Sequence, residues 1–523
     1  MTDLATERPD LLDPRLVDRL VNAVAAGPDA PRQHVVAPFT GEPIAAVPVS
    51  TPADVEQAYV LARAAQREWA RRPVRERAGV LRRLHDLVLD RQSLVADVVQ
   101  LESGKARRDA FEEIGDVALA ARHTASVAPR LLRTRRRAGI APLVTRGYEV
   151  RHPKGVVGIV SPWNYPFTLA ISDALPAFAA GNAVVHKPDT QTVLTALLGR
   201  ALAVEAGLPE QLWQVVVGPG PVVGTAVVEG ADHVAFTGST RTGRHIAAEA
   251  GRRLVGVSLE LGGKNPMLVL ADADVSRSVE GAVLGCFANA GQLCVSSESL
   301  YVADEIYEEF VGRLVERVRR LRLGPAMDYS ADVGSLSSAE QLTKVTAHVE
   351  DAVAKGATVL VGGGPRPDLG PWFFEPTLLS GVRPGMLAAD DETFGPVVAV
   401  YRFTVEDEAV AAANATPYGL NASIWTRDTR RGVRLAKRLH HGAVNVNESY
   451  RAVWGSHELH LGGMKASGLG RRHGSEGLLR YTEVQSVAVQ RVHGIHPPPW
   501  MAYEDFARYM TRYLRASHRG RRG

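Results

Sequence analysis

The chain has 523 residues, 45% of them hydrophobic and 23% charged, with a formal net charge of only +4. A single core stops growing below that length, so two or three domains are expected, and the near-balanced charge gives no reason to expect a nucleic-acid partner. Two cysteines, Cys286 and Cys294, cannot build a disulfide framework and match no zinc spacing. His457 and His460 have no supporting Cys or His cluster around them in the sequence, so no metal is expected. No run of eighteen apolar residues occurs and the first residues lack an apolar signal region, so no membrane span is expected and a reducing cytoplasm fits.

From Ala53 to about Arg122 apolar residues recur three and four apart, as in Val80, Leu81, Leu84, Leu87 and Val88, which predicts helix. The arginines between Arg130 and Arg137 read as a solvated basic face. The alternating stretch Leu143 to Val150, with Glu483 to Gln490, predicts a small projecting β arm. Strand-like runs at 155–160, 183–186, 213–217, 233–236 and 255–259 alternate with helical patterns such as 192–206 and 241–251. That alternation predicts a parallel, doubly wound sheet. A second series follows, with strands at 267–270, 299–302, 357–361 and 443–446 and helices at 275–290 and 305–320. The fold class is therefore α/β, two doubly wound domains meeting near residue 260 plus a small β arm. Beyond Pro497–Pro499, the spacing of Tyr503, Phe506, Met510, Tyr513 and Leu514 predicts a docking helix, followed by a basic tail with Arg519, Arg521 and Arg522.

Two loops suit a dinucleotide. The strand 233–236 runs into Thr237-Gly238-Ser239-Thr240 and then a helix, so Gly238 permits close approach, while Ser239 and Thr240 can cap the helix and offer hydroxyls to phosphate. Lys187-Pro188-Asp189-Thr190 follows the strand 183–186 at its carboxyl end, where ligands of open α/β sheets bind. Cys294 lies in a small-residue, Gly-containing turn straight after a helical run, open to approach, whereas Cys286 sits inside that run as a buried hydrophobe would.

Six segments occur in order: Pro162-Trp-Asn-Tyr-Pro-Phe167, Lys187-Pro-Asp-Thr190, Phe236-Thr-Gly-Ser-Thr240, Leu259-Glu-Leu-Gly-Gly-Lys-Asn-Pro266, Gly291-Gln-Leu-Cys294 and Glu392-Thr-Phe-Gly-Pro396. Together they resemble the aldehyde dehydrogenase superfamily over roughly residues 35–490. The stretch Gly462 to Arg471, with Gly155 to Asn164 and Ala180 to Pro188, resembles its NADP-dependent succinate-semialdehyde dehydrogenase branch. The resemblance implies an NADP-binding domain over 10–130, 152–258 and 449–482 and a catalytic domain over 259–448. It also implies an oligomerisation arm over 131–151 and 483–495, and 496–523 forms the tail. The implied partners are a small-molecule aldehyde and further copies of the chain, as a dimer or tetramer.

By the same resemblance Cys294 is the nucleophile, Glu260 the base that activates water, and the Asn164 side chain with the Cys294 N–H the oxyanion donors. Hydride transfer to the nicotinamide leaves a thioester on Cys294. The presence of Glu260 favours hydrolysis to a free acid over transfer to CoA. Trp163, Asn164, Lys187, Pro188, Asp189, Thr190, Ser239, Thr240, Leu261 and Glu392 are the implied cofactor residues. NAD-specific relatives place a glutamate where Thr190 stands, so NADP is expected to be preferred, with NAD used less efficiently. For the substrate, the branch places an arginine six residues before the nucleophile and another after the Pro-Trp-Asn motif; here stand Ala288 and Ala170-Ile-Ser-Asp173. Ser467 is the candidate substrate donor, with Arg451 and His457 on a loop within possible reach.

Overall fold

The structure, a computed structural model, describes residues 12–140, 144–491 and 494–519. The expected start of the arm strand at Leu143 lies outside these, as do the first residues and Arg521 and Arg522.

Local chemistry sets the helix ends. Thr51 and Asp54 form a reciprocal capping box ahead of Pro52–Arg71, and Gly104, at φ +74°, terminates Gln92–Ser103. The helices Val74–Asp90 and Arg107–Leu131 complete this N-terminal helical part. Ser239 caps Thr240–Arg252 and Asp274 caps Val275–Phe287.

Two sheets form the body. The first runs in the order Gly468–Leu469, Gly256–Glu260, His233–Thr237, Val156–Ser161, Ala183–Pro188, Trp213–Val215. It is parallel except for Gly468–Leu469, which pairs antiparallel with Glu260 and Leu259. The second runs Thr358–Val361, Thr377–Ser380, Val397–Phe403, Ser297–Ala303, Asn265–Val269, Asn421–Trp425, Ala443–Val446. Its edge strand Thr358–Val361 is antiparallel and the rest parallel. Four of these seven strands are legible as expected; Val397–Phe403 is an apolar run buried along most of its length, and it is the one that joins the inner strands to the edge pair. A hairpin, Arg32–Val36 with Pro43–Pro48, is a further addition. Helices cover the sheets as the βα alternation requires, and the architecture is α/β.

The helix expected over 275–290 ends at Phe287. Asn289 and Ala290 both adopt left-handed backbone, at φ +51° and +53°, and Gly291 follows at +71°. A side chain at Gly291 would run into the Gly395 carbonyl. This reversal carries the chain from the helix into the Cys294 turn.

A smaller unit comprises Leu132–His152 and the residues from Glu483 onward. Its sheet runs Thr482–Gln490, Thr145–Pro153, Arg135–Ala138, so the arginine cluster read as a solvated face supplies a strand. Arg137 pairs with Glu149 across that ladder at 2.8 Å. The helix Tyr503–Arg519 follows, with the Tyr513 hydroxyl donating to the Ile140 carbonyl. Among the described residues no helix is long and apolar enough to cross a membrane.

Candidate active site

Two cavities adjoin at the carboxyl end of the first sheet, sharing Pro162, Trp163, Thr237 and Gly238. The larger, about 630 Å³, is lined by Lys187, Asp189, Gly220, Thr225, Arg241, His245 and the start of the helix Thr240–Arg252. A dinucleotide fits such a cleft: strand ends, a helix N-terminus of open amides, and cations at its wall. Lys187 is buried and donates to the Pro188 carbonyl, and burial lowers its pKa. The smaller cavity, about 200 Å³, gathers Asn164, Glu260, Leu261, Cys294, Gln341, Lys344, Glu392 and Phe394. Trp163 and Phe394 stand edge to face across it, 5.6 Å apart.

Asn164 is fixed from beneath. Its carbonyl accepts from Lys105 Nζ at 2.8 Å and from Asn289 Nδ2 at 2.9 Å. Its own Nδ2 gives one hydrogen to the Gln292 carbonyl at 3.1 Å, and the amide group has a second to offer. Lys105 is fully buried and pairs with Glu113 at 2.5 Å, and Glu113 Oε2 accepts from the N–H groups of Phe167 and Thr168. The left-handed turn at Asn289 thus earns its strain: it aims the side chain at Asn164 and Gln292 together.

The other wall is built alike. Lys264 pairs with buried Glu298 at 2.6 Å, and Glu298 accepts from the N–H groups of Thr393 and Phe394. That holds the 391–396 loop so that Glu392 Oε1 takes the Gly263 N–H at 2.7 Å. A Cβ at Gly263 would lie 2.7 Å from the Cys294 carbonyl, so only glycine lets the two backbones approach this closely. Asn265 Nδ2 donates to that same carbonyl at 2.8 Å.

Burial dominates the electrostatics. Cys294 is half-buried, and desolvation, helped by the Glu260 and Glu392 carboxylates, pushes its thiol up to about 12. Glu260 is buried and pushed up to about 7 by desolvation, against the pull of Arg472 and Arg480. Its Oε1 has no hydrogen-bond partner among the described residues. Glu392 rises to about 7 through burial and the charge of Glu298. Cys286 is buried in its helix and its thiol is raised beyond the range of use.

Residues 26–487 match the aldehyde dehydrogenase family by sequence. The chain belongs to that family. A Mycobacterium tuberculosis protein named "Putative succinate-semialdehyde dehydrogenase (NADP+) 2" is 51% identical over 483 residues, 92% of this chain and 93% of its own. A Methylomonas protein named 4,4'-diapolycopene aldehyde oxidase is 39% identical over 472 residues, 90% of this chain and 88% of its own. The crystal structure of succinate-semialdehyde dehydrogenase from Burkholderia pseudomallei matches with TM-score 0.85 at 35% identity, covering 89% of this chain and 96% of that one.

In this aldehyde dehydrogenase, Cys294, Glu260, Asn164, Trp163, Ser239, Leu261 and Glu392 all line the smaller cavity, and Lys187 and Asp189 the larger. Others of the expected set stand elsewhere. Thr240 donates its hydroxyl to the Ala466 carbonyl, while Ser239 Oγ caps the helix by accepting from Thr242 N. Pro188 and Thr190 flank Asp189 without lining the cleft themselves. Ser467 is fully buried in the scaffold rather than in the cavity: its Oγ accepts from Gly419 N and its carbonyl from Leu261 N. Arg451 is tied to Glu112, and His457 faces Asp116 and His473, so neither reaches the cavity at Cys294. Lys105, Glu113, Asn289 and Arg241 were not legible as site residues; only Arg241, one turn position after Ser239-Thr240, had a local signal.

Lys105→Met leaves the Glu113 carboxylate buried without its cation. Equilibrium denaturation is expected to show a loss of about 3–5 kcal/mol, with Asn164 no longer held; unchanged stability would mean the pair does not anchor the wall.

Proposed function

We propose that this enzyme oxidises succinate semialdehyde to succinate, with NADP+ preferred and NAD+ used less efficiently. The observation that carries the chemistry is one cavity holding Cys294, Glu260 and the spare Asn164 donor and opening into the nucleotide cleft. The substrate reading is supported by the names of the relatives at 51% and 35% identity. In domain terms, 10–130, 152–258 and 449–482 would carry the cofactor, and 259–448 the thiol. The residues 131–151 and 483–495 would join copies through the exposed Val484, Val487 and Val489; a monomer by light scattering would contradict that last assignment.

The resting thiol, held near 12, needs a base, and Glu260 near 7 stands beside it to take the Sγ proton. The thiolate attacks the aldehyde carbon, and the oxyanion accepts from Asn164 Nδ2 and the Cys294 N–H, each donor contributing about 3 kcal/mol. NADP+, when bound in the cleft, supplies the two-electron acceptor that turns this adduct into the acyl level. Glu260, having passed the Sγ proton on to solvent, then draws a proton from water, the water oxygen adds to the Cys294 thioester, and the acid leaves as the C–S bond breaks and Cys294 departs as thiolate. Lys187 and Arg241 on the cleft wall favour the extra phosphate of NADP+, and Thr190 behind them adds no carboxylate, whereas a longer glutamate there would repel the phosphate by about 1 kcal/mol or more.

A second reading, an apolar aliphatic or aromatic aldehyde, is favoured by a specific feature. Tyr165, Leu169, Ala288, Leu293, Val295 and Tyr450 form a buried apolar cluster against Cys294. Initial rates with the carboxylated four-carbon aldehyde, butanal and benzaldehyde separate the two, each with NADP+ and NAD+. The proposal expects a kcat/KM for succinate semialdehyde higher by about tenfold, the worth of one hydrogen bond to a charged group, and higher with NADP+ than NAD+. Equal or reversed values overturn the corresponding part.

The raised Glu260 pKa fixes the sign of the pH dependence. As pH falls through about 7 the carboxylate takes a proton and can no longer serve as base. The steady-state rate is expected to fall about tenfold per unit on that acid limb, and Glu260→Gln to lose the limb along with most turnover. A limb that persists unchanged in Glu260→Gln would assign it to another group.

A further inference from the structure

Away from Cys294, a small cavity of about 30 Å³ lies between the helix Arg107–Leu131 and the segment 457–480. His123, His457 and His473 line it. The His457 and His473 rings are 4.1 Å apart and the His123 and His457 rings 5.9 Å apart. Asp116 Oδ1 lies 3.5 Å from His457 Nε2. One ligand atom from each of Asp116, His457 and His473 falls within 4.8 Å of the others. Asp116 and His457 are both more than nine-tenths buried.

Among the described residues four buried atoms here have no hydrogen-bond partner: Asp116 Oδ1 and His457 Nε2, which face each other, with His123 Nε2 and His473 Nδ1. Such atoms are destabilising if nothing meets them. They belong to side chains that are all metal ligands, and a cavity of this size holds one ion or one water and nothing larger. Ser172 Oγ donates to Asp116 Oδ2, which orients the carboxylate with Oδ1 toward the imidazoles. Backbone bonds fix the two key histidines relative to each other: Gly474 N donates to the His457 carbonyl, and Leu461 and Arg472 exchange both of theirs.

We propose that Asp116, His457 and His473 bind one divalent transition ion of the zinc class; the His123 ring stands further out on the same cavity wall. Two imidazoles and one carboxylate, with a water in the fourth position, suit a tetrahedral ion, whose ligand atoms sit about 3.3 Å apart for bonds of about 2 Å; the His457–Asp116 separation is already 3.5 Å. Magnesium and calcium want oxygen shells and do not match this donor set. Arg472 and Arg480 also line the cavity, but both are engaged by Asp173, and neutral nitrogen donors do not depend on net negative charge. The ion is structural: it ties the helix that carries Glu113 to the loop that carries Arg472. Beyond His457 the site is not legible in the chain order, because its partners stand on a helix far earlier in the chain and at the start of another.

The test uses the intact, untagged chain, stripped with a chelator and refilled with zinc or cobalt(II), in wild type and in Cys294→Ser, which removes the competing catalytic thiol. One zinc per chain is expected in both, with a rise in melting temperature on refilling. Cobalt is expected to give tetrahedral d–d absorption without a sulfur charge-transfer band. His457→Gln and His473→Gln are expected to weaken zinc binding by more than the about 10–100-fold that outer partners are worth. The cobalt spectrum of the wild type does not depend on how those variants fold. No zinc above background, an octahedral cobalt spectrum, loss of the metal in Cys294→Ser, or full uptake in folded His457→Gln overturns the proposal.

Discussion

The lysine–glutamate pair buried under the Pro162–Thr168 turn governs the geometry around Cys294. Lys105 and Glu113 are wholly removed from water, which is costly, and the cost is offset by two hydrogen bonds from the ammonium group and three to the carboxylate. Lys105 reaches the Asn164 carbonyl and lies over the Tyr165 ring at 4.0 Å; Glu113 holds the N–H groups that open the following helix. An apolar pair of equal volume could fill the space with equal stability. It would not give the turn its direction, and the direction of the Asn164 amide is what the chemistry needs. Lys264 and Glu298 do the same for the facing loop and its Glu392. The cavity is thus a gap between two independently anchored walls.

Low dielectric follows from that construction and sets the protonation states. The thiol stays protonated at rest, near 12, while Glu260 sits near 7 with one oxygen unpartnered. A buried carboxylate at that value can hold a proton or release it with little driving force in either direction, which suits a group asked to take protons from two donors in one cycle. Asp173 restrains the system from behind. Burial works against its ionisation, but Arg472 and Arg480 outweigh that and keep it charged. In doing so it neutralises the two guanidinium groups nearest Glu260 and leaves the carboxylate raised.

What was legible in the sequence is what is local. Cys294, Glu260 and Asn164 each sit in a short motif, and the alternation of strands and helices named the sheet architecture. The carboxyl-end loops Lys187–Thr190 and Thr237–Thr240 were placed at the cleft by the rule for open α/β sheets, yet the Thr240 hydroxyl and Ser467 went to backbone partners that no spacing reveals. Lys105, Glu113 and Asn289 escaped notice because their meaning lies in contacts across long separations. A lysine after a helix-ending glycine looks like any surface residue until the fold buries it. The left-handed Asn289 and Ala290 were invisible for a related reason: a helical pattern continues through them, and tertiary bonds to Asn164 and Gln292 override it. The Arg135–Ala138 strand is solvated, as its charge implies, but the charge hid the ladder to residues 146–149 that gives it order.

The central claim is that Cys294 carries the acyl group and Glu260 releases it. Mixing Glu260→Gln with NADP+ and aldehyde, then following NADPH and the intact mass of the protein, tests it directly. The expected result is NADPH formation that stops at about one per active chain, reached more slowly than in the wild type because the thiol has also lost its base, with the acyl adduct mapped to Cys294. Undiminished steady turnover, or an arrested enzyme with no adduct on Cys294, would contradict it.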